Sequence, residues 1–131
     1  MTESLILQCH TIYGVIQKPS ERELSFVHLS RMGLLKLPLD LFRIKNITEL
    51  WADENFLGTL PTQIAELTTL ERLYLSDNEL TSLPVQLGLL ANLKWLYAHN
   101  NLLKSLPAEI GRLTNLERLV VGTQKEKRCV S

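Results

Sequence analysis

Residues 70–90 read LERLYLSDNELTSLPVQLGLL. Leu73 and Leu75, one residue apart, are followed by Asn78, Leu80, a Leu83-Pro84 step, and Leu87 and Leu90 beyond it. A Leu-x-Leu pair puts alternate side chains on one side of an extended chain, as in a short strand with one buried face. Asparagine in the following turn offers two donors and an acceptor to backbone groups that the bending chain leaves unpaired. Proline then ends extended pairing, because it lacks the N–H a ladder requires, and it suits the first position of a helical turn.

The same register recurs on both sides. Upstream it runs Ile47, Leu50, Ala52, Asn55, Leu57, Leu60-Pro61, Ile64 and Leu67; downstream it runs Leu93, Leu96, Ala98, Asn101, Leu103, Leu106-Pro107, Ile110 and Leu113. A weaker copy from Leu24 has Val27, Leu29, Leu34, Leu37-Pro38, Leu41 and Ile44, with Met32 at the asparagine position. Pro38, Pro61, Pro84 and Pro107 therefore stand 23 residues apart. A fixed period of this length marks a repeat architecture. Burying each apolar side chain contributes about 1.5–3 kcal/mol, but only where a neighbouring unit covers it. The strands must then stack in parallel, one per unit. A helical bundle would need proline-free periodic stretches of about ten residues or more, and the sequence has none.

The string Leu70-x-x-Leu73-x-Leu75-x-x-Asn78-x-Leu80-x-x-Leu83-Pro84-x-x-Leu87 resembles the leucine-rich repeat. The 23-residue length and the Leu-Pro step are similar to the Ras-suppressor-like, Ras-group intracellular subclass. The resemblance covers residues 24 to 121 and implies an α/β solenoid, a short horseshoe. Parallel strands would line its concave face, and short helices or 3₁₀ turns its convex face. It also implies small GTPases, or phosphatase and kinase complexes, as partner classes.

The expected organisation is an N-terminal cap (1–23), four repeats (24–46, 47–69, 70–92, 93–115), and a partial fifth repeat with a polar tail (116–131). A cap is required because a terminal repeat otherwise exposes its apolar side. Two forms fit residues 1–23: a helix with Leu5, Cys9, Ile12 and Ile16 on one face, or a hairpin from Thr11–Ile16 through Lys18-Pro19-Ser20 into Leu24–Leu29. The fifth repeat starts with Leu116, Leu119 and Val121, then dissolves into Gln124-Lys125-Glu126-Lys127-Arg128 without a Leu-Pro step. Leu103, Leu106 and Ile110 should then be thinly covered, leaving an end that frays, self-associates, takes a partner, or is closed by strand five and a folded-back tail.

Composition narrows the function. Lys plus Arg equals Asp plus Glu at 14 each, so no basic surplus points to nucleic acid or an anionic membrane. No apolar run approaches the roughly 18 residues of a membrane span, and Leu5-Ile6-Leu7 is short for a secretory signal. Cys9 and Cys129, at opposite ends of the stack, read as free thiols in a reducing compartment, so cytoplasmic residence is expected.

The register assigns a face to every strand residue. The outward position between the strand leucines reads His28, Trp51, Tyr74, Tyr97 and Val120; two residues earlier lie Phe26, Glu49, Arg72, Trp95 and Arg118; two later lie Ser30, Asp53, Ser76, His99 and Gly122. Trp, Tyr and Arg dominate protein-interface hot spots. The candidate partner-binding residues are accordingly His28, Glu49, Trp51, Asp53, Arg72, Tyr74, Ser76, Trp95, Tyr97 and His99. A cross-strand aromatic ladder that only supports the sheet is the competing account, at about 0.2–1 kcal/mol per pair. Asn55, Asn78 and Asn101 are assigned a structural ladder. Five strands about 4.8 Å apart span only about 20 Å, small against the roughly 800 Å² per partner of a standard interface. Binding by this face alone should be weak unless loops or a second copy contribute.

Catalysis finds little support. His10, His28 and His99 are scattered, and no Cys/His/Asp/Glu group has metal-ligand spacing. Asp53, Ser76 and His99 share one row, but an open sheet face neither supplies an oxyanion hole nor excludes water. No cofactor, metal or enzymatic activity is expected. The reading is a non-catalytic protein–protein interaction module, with a signalling adaptor or regulator as the role the resemblance implies. The alternative is a structural subunit that assembles through its open C-terminal end.

Overall fold

The computed structural model describes residues 26–125. Residues 1–25, which include the cap, and residues 126–131 lie outside the described range, as do both cysteines. Five three-residue strands form one parallel sheet: β1 (Phe26–His28), β2 (Glu49–Trp51), β3 (Arg72–Tyr74), β4 (Trp95–Tyr97) and β5 (Arg118–Val120). Their order in the sheet is their order in the chain. Equivalent residues pair directly, Val27 with Leu50, Leu50 with Leu73, Leu73 with Leu96 and Leu96 with Leu119. A one-residue slip would turn every leucine to solvent, so the buried face enforces the register.

Proline shapes the second layer. Pro38, Pro61, Pro84 and Pro107 stand in extended conformation immediately before 3₁₀ helices at Leu39–Arg43, Thr62–Glu66, Val85–Leu89 and Ala108–Arg112. Each proline carbonyl accepts the first 3₁₀ bond, from Leu41, Ile64, Leu87 and Ile110 respectively, at 3.1 Å in every case. Between the layers lies a core in which Leu50, Leu73, Leu75, Leu80, Leu87 and Leu96 are fully buried.

Side-chain size along one column of the 3₁₀ layer sets how closely the units approach. Phe42, Ala65, Gly88 and Gly111 occupy equivalent positions. Gly88 is buried, and a Cβ there would lie 2.5 Å from the Glu109 carbonyl oxygen and 2.9 Å from its Cβ. At Gly111 a Cβ would meet nothing within 4 Å, because no further unit among the described residues stacks on it.

The first four strands each leave the sheet through a left-handed residue: Arg31, Glu54, Asp77 and Asn100 have φ of 56°, 54°, 59° and 55°. The strain is tolerated because each N–H is aimed at the next unit, to the carbonyls of Asp53, Ser76, His99 and Thr123.

The asparagines bind backward. Asn55 Oδ1 accepts the N–H groups of Met32 and Leu34 at 2.9 and 3.0 Å, while its Nδ2 donates to Leu29 O and Ala52 O. Asn78 and Asn101 repeat the arrangement one unit on, accepting from Leu57 and Leu80. This direction explains Met32: the amide that satisfies the first turn comes from repeat two.

The C-terminal end differs from the sequence expectation. The fifth unit does not dissolve after Val121, because Gln124 takes the next ladder position. Its Oε1 accepts from Asn101 and Leu103 N–H at 3.2 and 3.0 Å, and its Nε2 donates to Val121 O at 2.8 Å. Lys125 reaches back to Asn78 O at 2.7 Å and Glu79 at 3.3 Å. Leu103 and Ile110 are buried, whereas Leu106 is half-buried and Leu119 remains 38% exposed.

Candidate interaction surface

The parallel register places outward residues of successive strands side by side, so like residues stack. His28, Trp51, Tyr74 and Tyr97 form one continuous column with ring centroids 5.1, 3.9 and 5.1 Å apart and interplanar angles of 12–14°. Phe26 meets His28 edge-on at 5.7 Å, and Trp95 meets Tyr97 at 6.4 Å. Trp51, Tyr74 and Tyr97 are half-buried by their own neighbours, with one side open.

The row at the strand starts is electrostatic. Glu49 accepts the Trp51 indole N–H and pairs with Arg72 at 3.7 Å. The Arg72 guanidinium lies 4.1 Å from the Trp95 ring centroid, and Arg118 lies 4.7 Å from the same centroid. Arg118 also reaches the Tyr97 hydroxyl at 3.5 Å. Burial in the stack, then the Glu49 charge, raise the Tyr74 phenol above its ordinary value. A hydrogen bond to the Tyr97 hydroxyl raises the Arg118 guanidinium in turn.

The row after the strands separates into pairs. Ser30 donates to Asp53 at 2.5 Å, and Ser76 bonds His99 Nδ1 at 2.8 Å. Asp53, Ser76 and His99 are thus divided between two pairs rather than joined in one relay. Ser76, named among the candidate contacts, is 5% exposed, with its hydroxyl turned to His99. The structure therefore brings Trp51, Tyr74, Tyr97, Glu49, Arg72 and Trp95 into one patch and withdraws Ser76 from it. Arg118, absent from the sequence-based site, belongs to that patch; its place in the Trp95 row was the available signal.

No helix of the described residues is long and apolar enough to cross a membrane, and no group of three potential metal ligands occurs among them.

A Leucine Rich Repeat family model matches residues 69–90. No curated protein matches the chain significantly. Among solved structures, a leucine-rich repeat protein of Leptospira interrogans is 36% identical, with a TM-score of 0.68, over 71% of this chain and 24% of its own. An internalin (inlF) of Listeria monocytogenes is 26% identical, with a TM-score of 0.60, over 69% of this chain and 26% of its own. A chain of the BIR3–SERK2 complex from Arabidopsis thaliana is 32% identical, with a TM-score of 0.64, over 76% of this chain and 57% of its own. The chain thus spans about a quarter of the length of the first two and under two thirds of the third. The repeat motif, the stacked parallel sheet and these likenesses together show a leucine-rich repeat fold, with the repeat itself matched at residues 69–90.

Proposed function

We propose that this chain is a non-catalytic protein-docking module whose contact surface is the outward sheet face. The observation that carries the reading is the column from His28 to Tyr97, four stacked rings on a face that no other element of the described residues covers. Stacked rings hold one another rigid, so a partner meets a surface already ordered and less entropy is lost on docking. The Arabidopsis relative was solved as a complex, which is consistent with this use of the fold. A signalling adaptor in the cytoplasm, acting on a small GTPase or on a phosphatase or kinase complex, is the finer reading that the Ras-group resemblance suggests.

The test is affinity capture with the triple variant Trp51→Ala, Tyr74→Ala, Tyr97→Ala. Partner recovery should drop at least tenfold while circular dichroism keeps the native form. Undiminished capture by a folded triple variant overturns the reading.

A second reading rests on the C-terminal end, where Leu119 is 38% exposed and no described residue lies within 4 Å of a Cβ placed on Gly111. Here the chain is a structural subunit that assembles through this end. Light scattering decides it, since a mass that stays monomeric as concentration rises excludes self-association.

A further inference from the structure

The row Glu49, Arg72, Trp95, Arg118 runs in register across β2 to β5. The two guanidiniums approach the Trp95 indole from the strands on either side of it. Their charges are not equally compensated. Arg72 has Glu49 at 3.7 Å, whereas Arg118 has no carboxylate within ion-pair reach among the described residues. Its side-chain contacts are the indole and a long approach to the Tyr97 hydroxyl at 3.5 Å. An exposed guanidinium is therefore held against an aromatic platform beside the ring column. Arginine presents a planar fork of donors that matches a carboxylate bidentately, and a fork already held loses less freedom on binding.

The opposite edge of the face carries the opposite charge. Asp53 accepts from Ser30 and feels the charge of Arg31, and Asp77 accepts from Asn100; neither forms an ion pair among the described residues, whereas Glu54 is paired with Arg31. Nucleic acid and anionic membranes select a uniformly positive face, and these two carboxylates would repel them. A face with an open guanidinium at one edge, rings in the middle and carboxylates at the other suits a polypeptide segment of mixed charge.

Building on the docking surface above, we infer that its occupant is an extended partner segment with a carboxylate on Arg118, an apolar or aromatic side chain over Tyr97 and Tyr74, and a basic side chain toward Asp77. Arg118 is level with Arg72 two strands away, about 10 Å across the sheet, and Asp77 lies five residues beyond Arg72 past the end of β3, at most about 16 Å along it, so up to about six extended residues span the two.

The probe is the hexapeptide Ac-Asp-Leu-Phe-Leu-Ser-Lys-amide, titrated into the full chain while the Trp95 indole N–H resonance is followed. The shift should saturate, and the version with Asn in place of Asp should bind at least fivefold more weakly. Arg118→Gln should abolish that fivefold preference, and Arg118→Lys, which keeps the charge but not the fork, should retain part of it. Arg112→Gln, an exposed guanidinium on the 3₁₀ layer, should leave it intact. The inference is overturned if the Asp and Asn peptides bind alike, if neither binds, if Arg112→Gln removes the preference, or if phosphatidylserine vesicles elicit the stronger Arg118-dependent shift. Equal binding of both peptides that is lost in Tyr97→Ala would sink the charge assignment while leaving the docking surface standing. Failure of the docking surface itself is read separately, by the triple-variant capture.

Discussion

Gln124 stands to Asn101 as Asn101 stands to Asn78. Its side-chain amide accepts the backbone N–H of Asn101 at 3.2 Å and that of Leu103 at 3.0 Å, closing the asparagine ladder with a longer side chain. The ladder matters because each amide satisfies polar backbone groups at a turn, buried at the asparagines and part-buried at Gln124, and buried groups cost about 1–3 kcal/mol each when left unpaired.

Gln124→Ala should therefore destabilise the protein by about 1–3 kcal/mol, and Gln124→Asn by less, since asparagine serves at the preceding positions. Asn78→Ala, in the middle of the ladder, strands the buried Leu57 N–H and takes one of two amide donors from the Ala52 and Leu75 carbonyls, which keep those of Asn55 and Asn101. Because these bonds are buried while those of Gln124 are part-buried, its cost should lie toward the upper end of the same range, about 3 kcal/mol. Urea unfolding of the three variants orders them, and an Asn78→Ala protein no weaker than Gln124→Ala would contradict the ladder.

The two stacked glycines should respond oppositely to alanine. At Gly88 the new Cβ would collide with the Glu109 backbone at 2.5 Å, so the units must move apart at about 1–3 kcal/mol. At Gly111 the space is open, and alanine should leave stability unchanged or raise it by up to about 1 kcal/mol by restricting the unfolded chain. Thermal midpoints of Gly88→Ala and Gly111→Ala make the comparison directly.

Stacking between Trp51 and Tyr74, at 3.9 Å between centroids, should appear as a coupling energy. A double-mutant cycle with Trp51→Leu and Tyr74→Leu is expected to return a coupling of about 0.5–1.5 kcal/mol, the double variant losing that much less than the sum of the single losses. Strict additivity would mean that the rings are neighbours without mutual support.

Tyr74 also sets an alkaline limit. Burial and Glu49 raise its phenol, so the folded state keeps the proton to higher pH than the unfolded chain does. That contribution is whole below the unfolded value of about 10 and is lost as pH rises through the folded value. The stability of wild type should thus fall more steeply above about pH 10 than that of Tyr74→Phe. The difference in phenolate absorbance between the two proteins should titrate with a midpoint above that value, and one at or below it would refute the shift.

Period and register were legible in the sequence because each repeat buries the same leucines against its neighbour, so the 23-residue spacing and the face of each strand residue follow from one constraint. Leu73 and Trp51 could be assigned to opposite sides from alternation alone. Identity at a repeat position nevertheless misled at Gln124: read as the start of a polar tail, it performs the asparagine's task because its amide carries the same donors and acceptor. Ser76, which alternation sends outward, is buried because the next unit presents His99 to its hydroxyl. Which charges remain uncompensated was likewise settled in three dimensions. Glu49 could have served several partners, and only the packed rows show it beside Arg72 while Arg118 rests on Trp95 with no carboxylate in ion-pair reach among the described residues. The repeat constraint acts between identical positions and is written in the period; compensation acts between unlike side chains of neighbouring units, so it exists only once they are stacked.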